Sequence, residues 1–204
     1  YVVFKQTPEV DTASHIYITR SLNGGISFSV PVRVDGITDT ITRFPTVTTD
    51  AAGNPIVAYM RFNISFGNAQ WAVAKSTDFG NSFSSSVLAS RWSSATSTVC
   101  DCCPGSIATS GNTVAMLYRD NNSNIRDMWA GISSDGGSSF TQGLAIDQGN
   151  WMLMACPGSG PDGVFVSDTL YTVYMSETTG TSLVWISKTP MLPPASSVGI
   201  TLTG

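Results

Sequence analysis

The chain has 204 residues and a net charge of −4, and 12% of its residues are charged whereas 42% are hydrophobic. This balance indicates a folded domain, because enough apolar surface is available to offset the loss of chain entropy. No basic cluster is present and no run approaches the ~20 apolar residues of a membrane helix, so neither a nucleic-acid partner nor a transmembrane segment is expected.

An eight-residue pattern recurs along the chain, beginning at Ser21, at Ser76 and at Ser133, so that successive copies lie 55 and 57 residues apart. A weaker fourth copy begins at Ser187. An apolar run precedes each copy, two more runs lie further upstream, and one run follows each clear copy. The pattern therefore predicts four short strands per repeat, which is the content of one β-propeller blade.

Each clear copy has the residue types of a tight reversal between strands. Its glycine can adopt positive φ, its Asp or Asn oxygen can accept N–H bonds inside the turn, and its terminal Phe can be buried between neighbouring sheets. The structural positions predicted from this pattern are Ser21, Asn23, Gly25, Phe28, Ser76, Asp78, Gly80, Phe83, Ser133, Asp135, Gly137 and Phe140.

These segments resemble the Asp-box (BNR) repeats of the sialidase superfamily. The resemblance implies an all-β fold, a β-propeller of four-stranded antiparallel blades, with one incomplete propeller domain in this chain. About four blades are expected, at residues 1–34, 45–89, 104–147 and 157–204. Because sialidase-type propellers usually have six blades, the resemblance implies that missing blades or another chain complete the ring.

Strand direction divides the loops between two faces of such a propeller. The recurring turns lie on one face, and the loops from second to third strands lie on the other, together with the crossings between blades. In sialidases the ligand site is on that second face. The candidate site residues there are Arg61, Arg119, Asp120, Arg126, Asp127 and Glu177.

A sialidase needs an arginine cluster for the sugar carboxylate, a Tyr nucleophile with a Glu partner, and an Asp as acid or base. No residue can be assigned as the nucleophile, and the Phe-Arg-Ile-Pro signature of the family is absent. The alternative is that the arginines and aspartates pair with one another and brace the loops. The sequence favours bracing over catalysis.

The four cysteines are Cys100, Cys102, Cys103 and Cys156, of which three form a Cys-Asp-Cys-Cys cluster. Cys103 and Cys156 each precede a Pro-Gly-Ser segment at equivalent repeat positions. We expect two disulfides, one joining Cys156 to the cluster, in preference to a thiolate metal site, and we expect no cofactor. Together with residues 118–129, the cluster resembles a bacterial subgroup of exported Asp-box proteins.

Even cysteine number, low lysine content and this resemblance favour an extracytoplasmic protein. The first residues, from Tyr1 to Phe4, lack the charged start of a signal peptide, which is typical of a mature or truncated product. Two functions are consistent with the sequence. One is a module that binds or assembles with a protein or glycan partner, and the alternative is an exo-sialidase-type glycoside hydrolase.

Overall fold

The computed structural model describes residues 1–5, 14–37 and 40–191 and the backbone of residues 198–201. These residues form β-strands and turns and include no helix long and apolar enough to cross a membrane. The strands are β1 (Val2–Lys5), β2 (Ile16–Thr19), β3 (Val32–Arg33), β4 (Thr40–Thr49), β5 (Pro55–Asn63), β6 (Gln70–Lys75), β7 (Val87–Leu88), β8 (Thr98–Val99), β9 (Ser106–Ser110), β10 (Thr113–Asn121), β11 (Met128–Ser133), β12 (Gln142–Ala145), β13 (Asp162–Val166), β14 (Thr169–Ser176), β15 (Leu183–Pro190) and β16 (Val198–Thr201).

The strands form four antiparallel sheets that follow one another along the chain. The first sheet is β1-β2-β3, the second is β4-β5-β6-β7, the third is β9-β10-β11-β12, and the fourth is β13-β14-β15-β16. The short strand β8 adds to the third sheet by pairing with the far end of β10, at Asp120 and Asn121. Each sheet is a meander, because sequential antiparallel strands need only short connections.

Three apolar clusters lie between successive sheets and hold them face to face. The first includes Ile18 and Tyr59, the second includes Met60 and Tyr118, and the third includes Leu117. The first strands of the last three sheets contact one another in order, β4 against β9 and β9 against β13. Sheets that pack face to face around their first strands make this chain a β-propeller, which confirms the predicted fold class.

The sequences of the second strands reflect how many neighbours each sheet has. In β5 and β10 nearly every side chain is buried, because both faces of these sheets are covered. Strand β14 alternates instead, with Leu170 and Tyr174 buried and Val173 exposed. One face of the fourth sheet therefore carries apolar residues in contact with solvent, namely Val164, Val166, Val173 and Val184.

The recurring turns share one hydrogen-bond pattern in all three copies. The hydroxyls of Ser21, Ser76 and Ser133 accept the amide N–H four residues later at 2.8–2.9 Å. The Oδ1 atoms of the third residue, Asn23, Asp78 or Asp135, accept an amide N–H four residues on at 2.9–3.0 Å. The glycines that receive the serine bond have φ between 84° and 87°, a region that side chains disfavour.

The Phe at the end of the recurring turn is not equally buried in each copy. Phe140 packs into the cluster between the second and third sheets, and Phe83 packs against the cluster between the first and second. Phe28 is 49% exposed, contrary to the expectation. The reason is that each Phe packs against the preceding sheet, and no described sheet precedes the first.

Two further expectations about local structure are wrong. No turn begins at Ser187, which lies inside the eight-residue strand β15 and pairs with Thr172. Strand β4 begins at Thr40, before the start expected at Pro45, and has a bulge between Arg43 and Thr46. Phe44 has a φ of 50° there, and Pro45 has no N–H for the ladder, so the bulge accommodates both residues within one strand.

The aspartates of the recurring turns predict a defined response to acid. Hydrogen bonds from Ser82 and Ser76 lower the pKa of Asp78 from 3.8 to about 2, and bonds from Ser139 and Ser133 lower the pKa of Asp135. A carboxyl with a lowered folded-state pKa stabilises the fold above its unfolded pKa of 3.8, and this contribution is lost as the pH falls through the folded pKa. The wild-type melting temperature should therefore fall between about pH 4 and pH 2.

The double substitution Asp78→Asn and Asp135→Asn should make the fall in melting temperature over this pH interval smaller. Asparagine keeps the Oδ1 acceptor, as Asn23 does in the first copy, but it does not titrate. Thermal melts followed by circular dichroism at several pH values would measure the difference. Equal acid sensitivity in both proteins would show that these carboxylates do not govern it.

Candidate functional site

The candidate site lies on the side of the propeller opposite the recurring turns, which we call the loop face. Over the third and fourth sheets it is formed by residues 91–105, 121–127, 147–161 and 177–182. The end of β10 enters this region, and the adjoining loops pair with each other through backbone bonds such as Arg126 N to Trp151 O at 2.9 Å. The loops are therefore held as one layer above the sheets.

Arg119 is buried at the centre of this layer, where it connects the third and fourth sheets. Its guanidinium donates to Ser159 O at 2.9 Å, to Arg126 O at 2.7 Å and to Met175 O at 2.7 Å. Its carbon Cζ lies 5.0 Å from the centre of the Trp151 ring, a distance suited to a cation–π contact. Burial lowers the pKa of Arg119. The guanidinium thus binds main-chain carbonyls and is closed to a ligand.

Arg126 and Asp127 fix the next loop in a similar way. Arg126 is 7% exposed and donates through Nε to Leu153 O at 3.2 Å. Asp127 accepts the amide N–H groups of Asn150 at 3.1 Å and Trp151 at 3.0 Å. Burial raises the pKa of Asp127. Both side chains therefore hold the crossing between the third and fourth sheets.

Asp120 is an isolated acid beneath the same layer. It is 1% exposed, and one oxygen accepts the hydroxyl of Ser93, while Oδ1 has no hydrogen-bond partner among the described residues. Burial raises the pKa of Asp120 from 3.8 to about 6. Such a pKa suits an acid–base group, but a carboxyl with this exposure cannot reach a substrate without movement of the loops.

The remaining candidates do not join Arg119. Side chains two residues apart in a strand share a face, so Arg61 lies on the side of Tyr59, toward the first sheet, whereas Arg119 lies on the side of Leu117, toward the fourth. Glu177 is exposed and accepts the hydroxyl of Ser182. Arg61 and Arg119 therefore lie at different interfaces.

The cysteines form a compact group beside Arg119. Cys102 and Cys156 form a disulfide across 54 residues, with Cα atoms 6.3 Å apart, which confirms the predicted bond from Cys156 to the cluster. Cys100 and Cys103 are buried thiols with Sγ atoms 2.6 Å apart. Hydrogen bonding between them lowers the pKa of Cys100 to about 7 and raises that of Cys103. The second predicted disulfide would join this pair, but the two cysteines are free thiols in this structure.

A metal ion bound by four thiolates would need all four cysteines in the reduced form. Their Sγ atoms all lie within 4.8 Å of one another, which is close enough for one ion. The Cys102–Cys156 disulfide uses two of these sulfurs, so two thiols remain for coordination. Structural zinc sites normally have four protein ligands. The oxidised cluster is therefore a covalent link between loops.

Several residues that shape the loop face were not among the candidates. Ser159 accepts from Arg119 through both its carbonyl and its hydroxyl, and Asp147 lies beside a cavity between the third and fourth sheets. Ser159 ends the repeated Pro-Gly-Ser segment after Cys156, which could have pointed to it, whereas no spacing or motif distinguishes Asp147. Of the Trp151 to Met154 run, Trp151 is buried under Arg119, whereas Met154 is 85% exposed. The run is therefore buried at its first residue and exposed at its last.

Comparison with solved structures agrees with the fold. A protein of unknown function from Dyadobacter fermentans superposes with a TM-score of 0.65 at 14% identity, over 93% of this chain and 52% of that chain. A leech intramolecular trans-sialidase gives 0.64 at 10% identity, over 95% and 47%. An α-L-arabinanase from Penicillium chrysogenum gives 0.59 at 15% identity, over 97% and 61%.

These similarities establish a sialidase-like β-propeller fold and nothing finer, because identities this low do not carry function. No family model matches the chain, and no curated protein matches it. The chain spans about half the length of the first two of these solved structures.

Proposed function

We propose that this chain belongs to an extracytoplasmic binding module with Asp-box repeats, which contacts a glycan or protein partner through its loop face. The observation that carries this proposal is the state of Arg119 and Arg126. Both guanidiniums are buried and donate to main-chain carbonyls. A carboxylate clamp needs guanidinium N–H groups directed into an open cleft.

Two further observations support the same proposal. The recurring turns have the Ser, Asp and Gly hydrogen bonds that an Asp-box repeat is expected to have. The Cys102–Cys156 disulfide suits an oxidising compartment outside the cytoplasm. The disulfide also stiffens the loops, and a rigid surface loses less entropy when it binds a partner.

The open face of the fourth sheet indicates a second contact. Val164, Val173 and Val184 are exposed on one sheet face, opposite the face that packs on the third sheet. In a propeller such a face is covered by the next blade. Further blades of the same ring, or another chain, would bury these side chains.

Exo-sialidase activity is the second candidate function, since a leech intramolecular trans-sialidase is among the structures that superpose on this chain. A fluorogenic sialoside incubated with the purified protein tests it. We expect no release above that of a heat-denatured sample, because the buried Arg119 and Arg126 donate to main-chain carbonyls instead of facing a cleft. Release that disappears in the Arg61→Ala variant would contradict the binding proposal, since Arg61 is partly exposed and lies outside the buried network.

A further inference from the structure

A cavity of about 350 Å³ opens on the loop face between the third and fourth sheets. One wall is the segment after β12, including Asp147, and the other is formed by Tyr174 and Trp185 with the loop at Thr178 and Thr179. The cavity is separate from the buried Arg119 network, although both lie at the same interface. Its volume is within the range of small-ligand sites.

Two of the lining residues have buried polar atoms without hydrogen-bond partners in the described part of the chain. These atoms are Oδ2 of Asp147 and Nε1 of Trp185. The other oxygen of Asp147 accepts the amide N–H of Gly149 at 2.9 Å. Burial raises the pKa of Asp147, and Ser176, which opposes this shift, has its hydroxyl 2.7 Å from that of Thr178 and pairs with it.

Unpaired buried donors and acceptors cost free energy unless a ligand or water satisfies them. One acceptor and one donor are left here, beside two aromatic rings and two threonine hydroxyls. Sugars combine hydroxyls, which both donate and accept, with apolar C–H faces that pack on aromatic rings. The Asp147 carboxyl disfavours an anionic sugar, and the N–H groups of Arg119 donate to carbonyls and are therefore not directed at a ligand carboxylate.

We propose that this cavity binds a neutral sugar unit. A shift of the exposed loop at Thr178 and Thr179 would open Oδ2 of Asp147 to a sugar hydroxyl and Nε1 of Trp185 to a sugar oxygen. The proposal rests on the binding function proposed above and makes its ligand class specific. The sugar would then bind at the interface between the third and fourth sheets, at a distance from their first strands, β9 and β13.

Binding of methyl galactoside, methyl glucoside, methyl arabinofuranoside and sialyllactose by saturation-transfer NMR and calorimetry tests the proposal. At least one neutral glycoside should bind more tightly than sialyllactose. Asp147→Asn should weaken this binding about fivefold to tenfold, because Gly149 would hold the amide oxygen and leave an NH₂ group in place of Oδ2. Trp185→Phe, which keeps a ring but removes the N–H, should weaken it similarly.

Matched controls separate binding from folding. Asp168→Asn and Trp129→Phe make the same chemical changes at residues outside the cavity and outside the loop face, and should leave affinity unchanged. Thr179→Trp changes an exposed lining residue, so it should fold normally and block the cavity. This third variant keeps the test valid if either of the others melts early.

Three results would overturn the inference. The first is that no neutral glycoside binds, and the second is that sialyllactose binds best. The third is glycan binding that survives Asp147→Asn, Trp185→Phe and Thr179→Trp, which would leave the proposed binding function intact but move its site. Hydrolysis of a sialoside would instead contradict the proposed function itself, so the two failures are distinguishable.

Discussion

Replacing Arg119 with alanine is expected to lower the free energy of unfolding by about 3 to 5 kcal/mol. The substitution leaves the carbonyls of Ser159, Arg126 and Met175 without their guanidinium donor in a buried layer, and it removes the cation–π contact to Trp151. Urea unfolding followed by tryptophan fluorescence would measure the loss.

Two variants control this prediction. Arg119→Lys should lose most of the same stability, because an ammonium group cannot reproduce the planar geometry that reaches three carbonyls. Arg61→Ala removes a partly exposed arginine and should cost less than about 1 kcal/mol. An Arg119→Ala protein that unfolds like the wild type would show that Arg119 is free for another role, such as holding a ligand carboxylate.

The double substitution Cys102→Ser and Cys156→Ser should destabilise the protein by about 4 kcal/mol. The disulfide closes a loop of 54 residues, and the chain-entropy model assigns a bond of this span a contribution of that size. The wild type in reductant should unfold at the same urea concentration as the double variant in its absence.

The two buried thiols provide the control for the disulfide. Cys100→Ser with Cys103→Ser leaves the Cys102–Cys156 bond in place, so its unfolding should shift much less. Thiol titration in denaturant without reductant should detect at most two thiols in the wild type. Four thiols would show that the disulfide does not form.

The fold could be predicted from sequence because one local requirement recurs at a fixed interval. A tight reversal needs glycine at positive φ and a short polar acceptor, and Ser76 to Phe83 and Ser133 to Phe140 meet this requirement within the same hydrogen-bond pattern. The weaker copy at Ser187 lacks that glycine and is a strand. The burial of each Phe depends on a neighbouring sheet, which local sequence does not describe.

The candidate site could be predicted only in part. Strand direction placed Arg119 and Arg126 near the loop face, but direction along a strand does not say which neighbouring sheet a side chain faces. The sheet that a side chain faces depends on the alternation of side chains along the strand. Arg119 lies on the same side as Leu117 and Arg61 on the same side as Tyr59, so the two arginines face different neighbouring sheets. Among the described residues Arg119 forms no salt bridge with the expected aspartates and instead binds carbonyls of three different segments.

The cysteine pairing could also be predicted only in part from the sequence. Equivalent positions of Cys103 and Cys156 in successive repeats correctly indicated a bond between the cluster and Cys156. The bonded partner is Cys102, because Cys102 is half-buried beside the exposed Cys156, whereas Cys100 and Cys103 are buried. A choice among adjacent cysteines depends on the turn at Asp101, which spacing alone does not determine.

The disulfide also determines how the chain would respond to mechanical tension. Strands β9 to β12 all lie between Cys102 and Cys156, so a pull on the two termini passes through the sulfur–sulfur bond and bypasses these four strands of the third sheet. Fully stretched, the oxidised chain would be shorter than the reduced chain by about 180 Å, the extended length of the enclosed segment. Reduction of the disulfide would therefore make the segment between Cys102 and Cys156 available for extension. Strands β9 to β12 would bear the applied force only after reduction.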